Sequence, residues 1–223
     1  MTIKTGLIFN IDCVLNRKSL ALMVSILLFS NLGTVRAEAT NSDPGKNGDH
    51  TPTAQIKSTV DRAIRILSDP GLQEDSQKDL RYRLAREVIM PRFDFNEIAK
   101  RSLGSHWRRL NTEERSRFVR VFTRFLEQTY VAKITSFNGE RFLYAGERVD
   151  RDFAEVVSNV ISSDGKRVTV GYKLRLVAHD WKIYDLVVEN ISMVNSYRAQ
   201  FARIIAQSSY RELVARLEKK LAE

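Results

Sequence analysis

The length, composition and charge of the chain favour a globular protein with a basic surface and exclude one that is mostly disordered. The chain has 223 residues, 43% of them hydrophobic and 28% charged, which suits one domain, with or without appendages, that buries a sizeable core. Lys and Arg outnumber Asp and Glu by 36 to 27, a net charge of +9. This charge is compatible with a nucleic acid or an anionic membrane as the binding partner, and equally with no charged partner at all.

The N-terminal segment has the organisation of a secretory signal peptide. Arg17 and Lys18 precede the apolar stretch SLALMVSILLFSNLG, and TVRAEA then offers small-residue cleavage sites after Ala37 or Ala39. A membrane anchor is the alternative, but a spanning helix needs about 20 apolar residues. We therefore predict a cleavable signal peptide over residues 1–37.

Cysteine usage and the following residues agree with export. The single cysteine, Cys13, would be removed with the signal peptide, so the mature chain would tolerate an oxidising compartment. Residues 38–54 are rich in Gly, Pro, Ser, Thr and Asn and have no apolar pattern, which predicts a disordered linker. The folded domain is then expected over residues 55–223.

The first half of this domain is predicted to be helical. The segment IKSTVDRAIRIL carries apolar residues on one helical face, a second helix is expected from about Gln73 to Ile89, and Asp94 caps a third that ends at Gly104. Asn111 caps the longest helix. Its apolar residues form a wide aromatic stripe, namely Phe118, Val121, Phe122, Phe125, Leu126, Tyr130 and Ile134.

The second half predicts an antiparallel meander of four strands with the sequences RFLYAGERV, FAEVVSNVISS, KRVTVGYKLRLVA and WKIYDLVVEN. A two-residue turn at Asp164-Gly165 would pair Val157 with Tyr172 and Phe153 with Leu176. The residues expected on one apolar face are Phe153, Val157, Ile161, Val168, Val170, Tyr172, Leu174 and Leu176.

The face of the last strand depends on the length of the next turn. A two-residue turn at His179-Asp180 would add Ile183, Asp185, Val187 and Glu189 to the apolar face. One extra residue would exchange the last three with Tyr184, Leu186 and Val188. Because this strand is apolar on both sides, we expect helices to cover both of its faces.

Two helices, capped by Ser192 and Ser209, are predicted to close the chain, and the sum is an α+β domain in which helices wrap the sheet. The sequence has no Gly-rich phosphate loop, no G-x-S-x-G elbow and no clustered metal ligands, so we predict no catalytic and no metal-binding residues. Asp185 and Glu189 would lie about 13 Å apart along a strand, too far for one catalytic carboxylate pair.

Two blocks of the sequence resemble one protein family. LGSHWRRLNTEERSRFVRVFTRFLEQTY, which contains Gly104 and Trp107, resembles the L-G-x-x-W, E-x-x-x-F, T-Y pattern of the MlaC-type phospholipid-binding proteins, also called toluene-tolerance proteins. YDLVVENISMVNSYRAQF, which contains Asp185, Glu189 and Ser192, resembles the Y-D-x-x-x-E-x-x-S-x-x-x-x-Y-R-x-x-F block of that family.

The resemblance implies a curved four-stranded sheet related to the NTF2-like cone, wrapped by helices, with an added helical subdomain and an apolar cavity. It implies a monomeric periplasmic auxiliary component of an ABC transporter that maintains outer-membrane lipid asymmetry. The protein would carry phospholipid between an outer-membrane lipoprotein and porin complex and an inner-membrane ABC transporter with an MCE-domain subunit. No cofactor, catalysis or nucleic acid is implied, and a hopanoid-associated branch of the family is an alternative.

Burial of acyl chains would require an apolar lining. The candidate lipid-binding residues are Phe118, Phe122, Phe125, Tyr172, Leu174, Val187 and Tyr197, and each could equally be ordinary core. An enzyme that uses Asp185 in a cone-shaped fold and an adaptor that uses its basic surface are the competing hypotheses. We expect Glu189 to accept hydrogen bonds at the start of the helix near Ser192, and Asp185 to fix neighbouring sheet or helix geometry.

Overall fold

The computed structural model describes residues 50–131 and 137–223, and the predicted signal peptide lies outside them. The predicted α+β class is confirmed, because a run of helices precedes one antiparallel sheet and two more helices follow it. The α-helices are α1 (Pro52–Leu67), α2 (Lys78–Ile89), α3 (Phe95–Leu103), α4 (Thr112–Leu126), α5 (Met193–Gln207) and α6 (Tyr210–Ala222).

Short 3₁₀ turns join the first four helices, and a π-helical turn, Glu127–Val131, follows α4. Helix α1 begins at Pro52, within the residues predicted as a linker, because Thr51 caps it with its side-chain hydroxyl and proline is favoured in the first turn. None of the described helices combines the length and the hydropathy that a membrane span requires.

The sheet has five strands rather than four. Their order in the sheet follows the chain: β1 (Arg141–Asp150), β2 (Phe153–Ile161), β3 (Arg167–Val177), β4 (Asp180–Val188) and β5 (Ile191–Ser192). The fifth strand consists of two residues that pair with the end of β4 after a turn at Glu189 and Asn190, both at positive φ. So short a strand has no alternating pattern that would reveal it in the sequence.

The predicted register between β2 and β3 is wrong by one residue. Val157 lies opposite Gly171 and Phe153 opposite Arg175. The reason is a three-residue loop between Ser162 and Lys166, in which Gly165 has a φ of 81° and donates its N–H to the carbonyl of Ser162 at 2.9 Å. Because the loop has one residue more than the predicted two-residue turn, Phe153, Val157 and Ile161 lie on the sheet face opposite to that of Tyr172.

A β-bulge changes the face of β4. Leu174 pairs with Ile183, but Lys173 pairs with Asp185, so Tyr184 is the extra residue. Ile183 therefore shares the face of Tyr172 and Leu174 as predicted, whereas Asp185 and Val187 lie on the opposite face. The alternative is correct for Leu186 and Val188, which lie on the Tyr172 face, but not for Tyr184, whose ring contacts Phe153 on the opposite face; a bulge rather than a longer turn is the cause.

We call the sheet face that carries Val156, Tyr172 and Leu174 the inner face. It packs against Ile56 of α1 in a buried cluster that also contains Ala154, Trp181 and Ile183. The outer face carries Phe153, Glu155, Val157 and Lys173, and at β4 it is covered by α3 and α5. The prediction that helices cover both faces of the last long strand is therefore confirmed.

Candidate functional site

The aromatic stripe predicted on the helix that Asn111 caps, α4, packs against α5. The aromatic cluster consists of Phe118, Phe122 and Phe125 of α4 with Tyr197 and Phe201 of α5. Phe122 lies at its centre: its ring centroid is 5.1 Å from those of both Tyr197 and Phe201, in edge-to-face geometry. Since all five side chains are at most 4% exposed, this cluster forms the core of the helical layer.

One polar contact lies within the aromatic cluster. The hydroxyls of Tyr130, in the π-helical turn, and Tyr197 are hydrogen-bonded at 3.0 Å. Burial raises the pKa of Tyr197 well above the usual value for tyrosine, so both phenols are neutral at physiological pH. The pairing satisfies two hydroxyls that would otherwise be unpaired in an apolar environment.

The predicted lipid-binding residues do not line one common space. Tyr172 and Leu174 belong to the inner face, where the Tyr172 hydroxyl is 3.2 Å from Ser158 Oγ. Val187 lies on the outer face, beside Gly171. The sheet itself therefore separates Tyr172 and Leu174 from Val187.

Of the two carboxylates of the last strand, Asp185 fixes the geometry of the following helix, as predicted, whereas Glu189 has a different role from the one predicted. Asp185 accepts a hydrogen bond from Ser192 Oγ at 2.6 Å and another from the backbone N–H of Val194 at 3.0 Å. It is therefore Asp185, 4% exposed, that binds the N-terminus of α5. Glu189 instead accepts from the N–H of Thr169 at 2.5 Å, which extends the pairing of β3 and β4.

The other motif residues shape a helix end. Gly104 has a φ of 57° at the end of α3, a conformation that glycine adopts more readily than other residues. The carbonyl of Trp107 accepts a hydrogen bond from Arg115 Nε at 3.2 Å, and the same guanidinium lies 5.4 Å from the indole ring centroid. These observations indicate structural roles, for Gly104 at the end of α3 and for Trp107 at the start of α4.

An open pocket of about 220 Å³ lies on the outer face, and sequence reasoning did not predict it. We call it the outer-face pocket, and its lining residues are Arg148, Asp150, Phe153, Ala154, Glu155, Lys173 and Tyr184. Arg148, Glu155 and Lys173 lie side by side on three neighbouring strands. Only the correct register brings these charges together, so they could not be recognised as one site from the separate strand sequences.

An apolar row borders this pocket on the same sheet face. Gly146, Val157, Gly171 and Val187 are consecutive cross-strand neighbours on β1 to β4. The two glycines leave the row shallow, and a Cβ built on Gly146 would have no atom within 4 Å. The row joins the charged pocket to the part of the sheet that α5 covers.

Within residues 50–131 and 137–223, no three His, Cys, Asp or Glu side chains are grouped as metal ligands. The described site thus consists of apolar and aromatic surfaces next to a small set of charged side chains. Such a combination is typical of proteins that bind an amphipathic ligand.

Fold and site together define an α+β protein with helices on both faces of an antiparallel sheet and an aromatic-rich interior. The chain belongs to the MlaC protein family, whose family model matches residues 57–219.

Two curated relatives agree with this assignment. The intermembrane phospholipid transport system binding protein MlaC of Haemophilus influenzae is 21% identical over 72% of this chain and 79% of its own length. The toluene tolerance protein ttg2D of Pseudomonas putida is 25% identical over 68% of this chain and 72% of its own.

A solved structure is also similar. It is the phospholipid-binding protein from Ralstonia solanacearum in complex with a phospholipid, which is 25% identical to this chain. The match has a TM-score of 0.66 and covers 76% of this chain and 96% of that one.

Proposed function

We propose that this protein is a periplasmic phospholipid carrier that buries the acyl chains of its cargo. The observation that carries the proposal is the similarity to a protein solved with a bound phospholipid, which extends over 96% of that protein. The name of the Haemophilus influenzae relative, a binding protein of an intermembrane phospholipid transport system, points to the same class. A cleavable signal peptide over residues 1–37 would deliver the chain to the periplasm.

The energetics of lipid transfer require such a carrier. A phospholipid with about 30 methylene groups, at about 0.8 kcal/mol for each, would cost about 24 kcal/mol to expose fully to water. Free diffusion between two membranes is therefore negligible. A protein that replaces water with apolar side chains removes most of this penalty.

We place the acyl chains between α5 and the outer sheet face. The support is the apolar row that ends at Val187, the aromatic cluster that contains Tyr197, and the contact of α5 with β4 between them. Phe118, Phe122 and Phe125 would form the far wall, and separation of α5 from the sheet would widen the space into the expected cavity. We assign Tyr172 and Leu174 to the sheet core instead.

The remaining features of the proposed role follow the family. The protein would act as a monomer that receives or delivers lipid at an outer-membrane complex and at an inner-membrane ABC transporter with an MCE-domain subunit. The sheet and its helices would form the NTF2-like cone with an added helical subdomain. No catalytic step is part of this function.

Lipid extraction tests the proposal. The protein is purified natively after export, extracted with organic solvent, and the extract is identified by mass spectrometry. We expect phospholipid in an amount that approaches one molecule per chain. Only hopanoid-type lipid, or no lipid from folded protein, would contradict the proposal.

A matched pair of variants locates the acyl chains. Val187→Trp narrows the outer-face row, whereas Val170→Trp adds the same bulk at another half-buried strand valine on the inner face. We expect Val187→Trp to lower the phospholipid recovered per folded chain and Val170→Trp to leave it near the wild-type value. The reverse order would move the acyl chains to the inner face.

A further inference from the structure

The outer-face pocket contains four charged side chains that have no ion-pair partner within the described residues. Arg148 and Lys173 flank Glu155 as direct cross-strand neighbours, and Asp150 lies beside Phe153 in the next row. Neighbouring opposite charges on a sheet usually pair directly. Here all four side chains line an open space of about 220 Å³ instead.

Other cations close to the pocket are already engaged. Arg175 Nε donates to Asp94 at 2.5 Å, and Arg101 Nε donates to Glu97 at 2.7 Å. The Arg101 guanidinium also lies over the ring of Tyr184, 4.2 Å from its centroid. These contacts hold α3 against the sheet, so the recognition of a ligand falls to the four charges inside the pocket.

The balance of these charges selects a class of ligand. Two cations and two carboxylates give a pocket with no net charge, so a purely anionic group would be attracted by Arg148 and Lys173 but repelled by Glu155 and Asp150. A zwitterion that carries one phosphate and one ammonium would be complementary to both pairs. The exposed ring of Phe153, which is 46% accessible, offers an additional face to the ammonium.

We propose that the outer-face pocket binds the headgroup of a zwitterionic phospholipid of the phosphoethanolamine type. The phosphate lies between Arg148 and Lys173, and the ammonium faces Glu155, Asp150 and the ring of Phe153. This assignment rests on the proposed carrier function. It is compatible with the proposed position of the acyl chains, because the apolar row begins next to the pocket on the same sheet face.

A competition between two lipids tests the assignment. Delipidated protein is incubated with vesicles that contain equal amounts of phosphatidylethanolamine and phosphatidylglycerol with identical acyl chains. The protein is re-isolated, and its lipids are quantified by mass spectrometry. Wild-type protein is expected to take up more of the zwitterionic lipid.

Two variants separate the two halves of the headgroup. Glu155→Gln is expected to lower the preference for phosphatidylethanolamine about two- to fivefold, the range for an exposed charge pair. Lys173→Gln is expected to lower the uptake of both lipids, because both contain the phosphate. Arg167→Gln, an exposed cation on the same strand and face but outside the pocket, is the matched control and should change neither quantity.

Each result leads to a distinct conclusion. Equal uptake of the two lipids by wild-type protein overturns the headgroup site but leaves the carrier function intact. The same conclusion follows if the ratio of phosphatidylethanolamine to phosphatidylglycerol taken up is equal in the Glu155→Gln and Arg167→Gln variants. Failure of folded wild-type protein to take up any lipid contradicts the carrier function itself. Circular dichroism of each variant confirms that the comparison is made on folded protein.

Discussion

Removal of the negative charge of Asp185 should destabilise the fold more than any change at Glu189. Asp185 is 4% exposed and receives two donors, the Ser192 hydroxyl and the Val194 N–H, at the N-terminus of α5. Asp185→Asn keeps one carbonyl oxygen as acceptor, so one hydrogen bond to a charged group is lost. The free energy of unfolding should therefore fall by about 2 kcal/mol. For a domain of this size we expect the melting temperature to fall by roughly 4–8 °C.

Urea unfolding followed by circular dichroism measures this loss, with the slope of the transition as a check that the same surface is exposed. Glu189→Gln is the control. Its side chain accepts one exposed N–H, which glutamine can still accept, so the expected loss is below about 0.5 kcal/mol. Lipid recovered per folded chain should be unchanged in both variants. If Glu189→Gln lowers the free energy of unfolding by as much as Asp185→Asn, or by more, Asp185 is not the residue that fixes α5.

Two further predictions concern the core. Phe122→Ala removes a ring that contacts four other rings, so the free energy of unfolding, measured by urea titration, should fall by about 3–5 kcal/mol. The control is Leu143→Ala, at a side chain 49% exposed, which should change this free energy by less than about 0.5 kcal/mol. Equal effects of the two substitutions would show that the aromatic cluster is not a packed core. The second prediction concerns alkaline pH: burial raises the pKa of all seven tyrosines, that of Tyr210 to about 12. The resulting stabilisation is complete below pH 10 and is lost as the pH rises towards 12, because unfolded tyrosines ionise near 10. Absorbance at 295 nm should therefore increase only above pH 10 and together with unfolding, and several tyrosines that ionise near pH 10 in folded protein would contradict this.

The N-termini of α3, α4 and α5 could be predicted from the sequence because helix caps are local. Asn111 and Glu114 form the reciprocal capping box expected of them, with both hydrogen bonds at 2.9 Å. Asp94 and Ser192 also cap the helices that follow them. In each case a short side chain accepts a hydrogen bond from the backbone N–H three residues later, so no tertiary contact is needed.

The sheet register could not be predicted, because it depends on single residues in loops and bulges. The loop after Ser162 contains one more residue than an Asp-Gly turn, and the bulge at Tyr184 accompanies contacts with Phe153 and Arg101 that are remote in sequence. Both features change which side chains share a face. The outer-face pocket is a property of the register, so it could be recognised only once the strands were paired.

The aromatic stripe was the most informative sequence feature of the candidate site. Its spacing correctly predicted one buried helical face, with Phe118, Phe122 and Phe125 all at most 4% exposed. The partner of that face is α5, through Tyr197 and Phe201, rather than the inner sheet face that contains Tyr172. Periodicity shows which side of a helix is buried, but it does not show what covers it.

Native mass spectrometry of the exported protein tests the central claim most directly. The carrier function predicts a species whose mass exceeds that of the mature chain by one phospholipid, and activation in the gas phase should release that lipid. Delipidated protein should regain the same mass after incubation with phospholipid vesicles. A folded protein that shows only the mass of the polypeptide, before and after such incubation, would contradict the claim that this chain carries phospholipid.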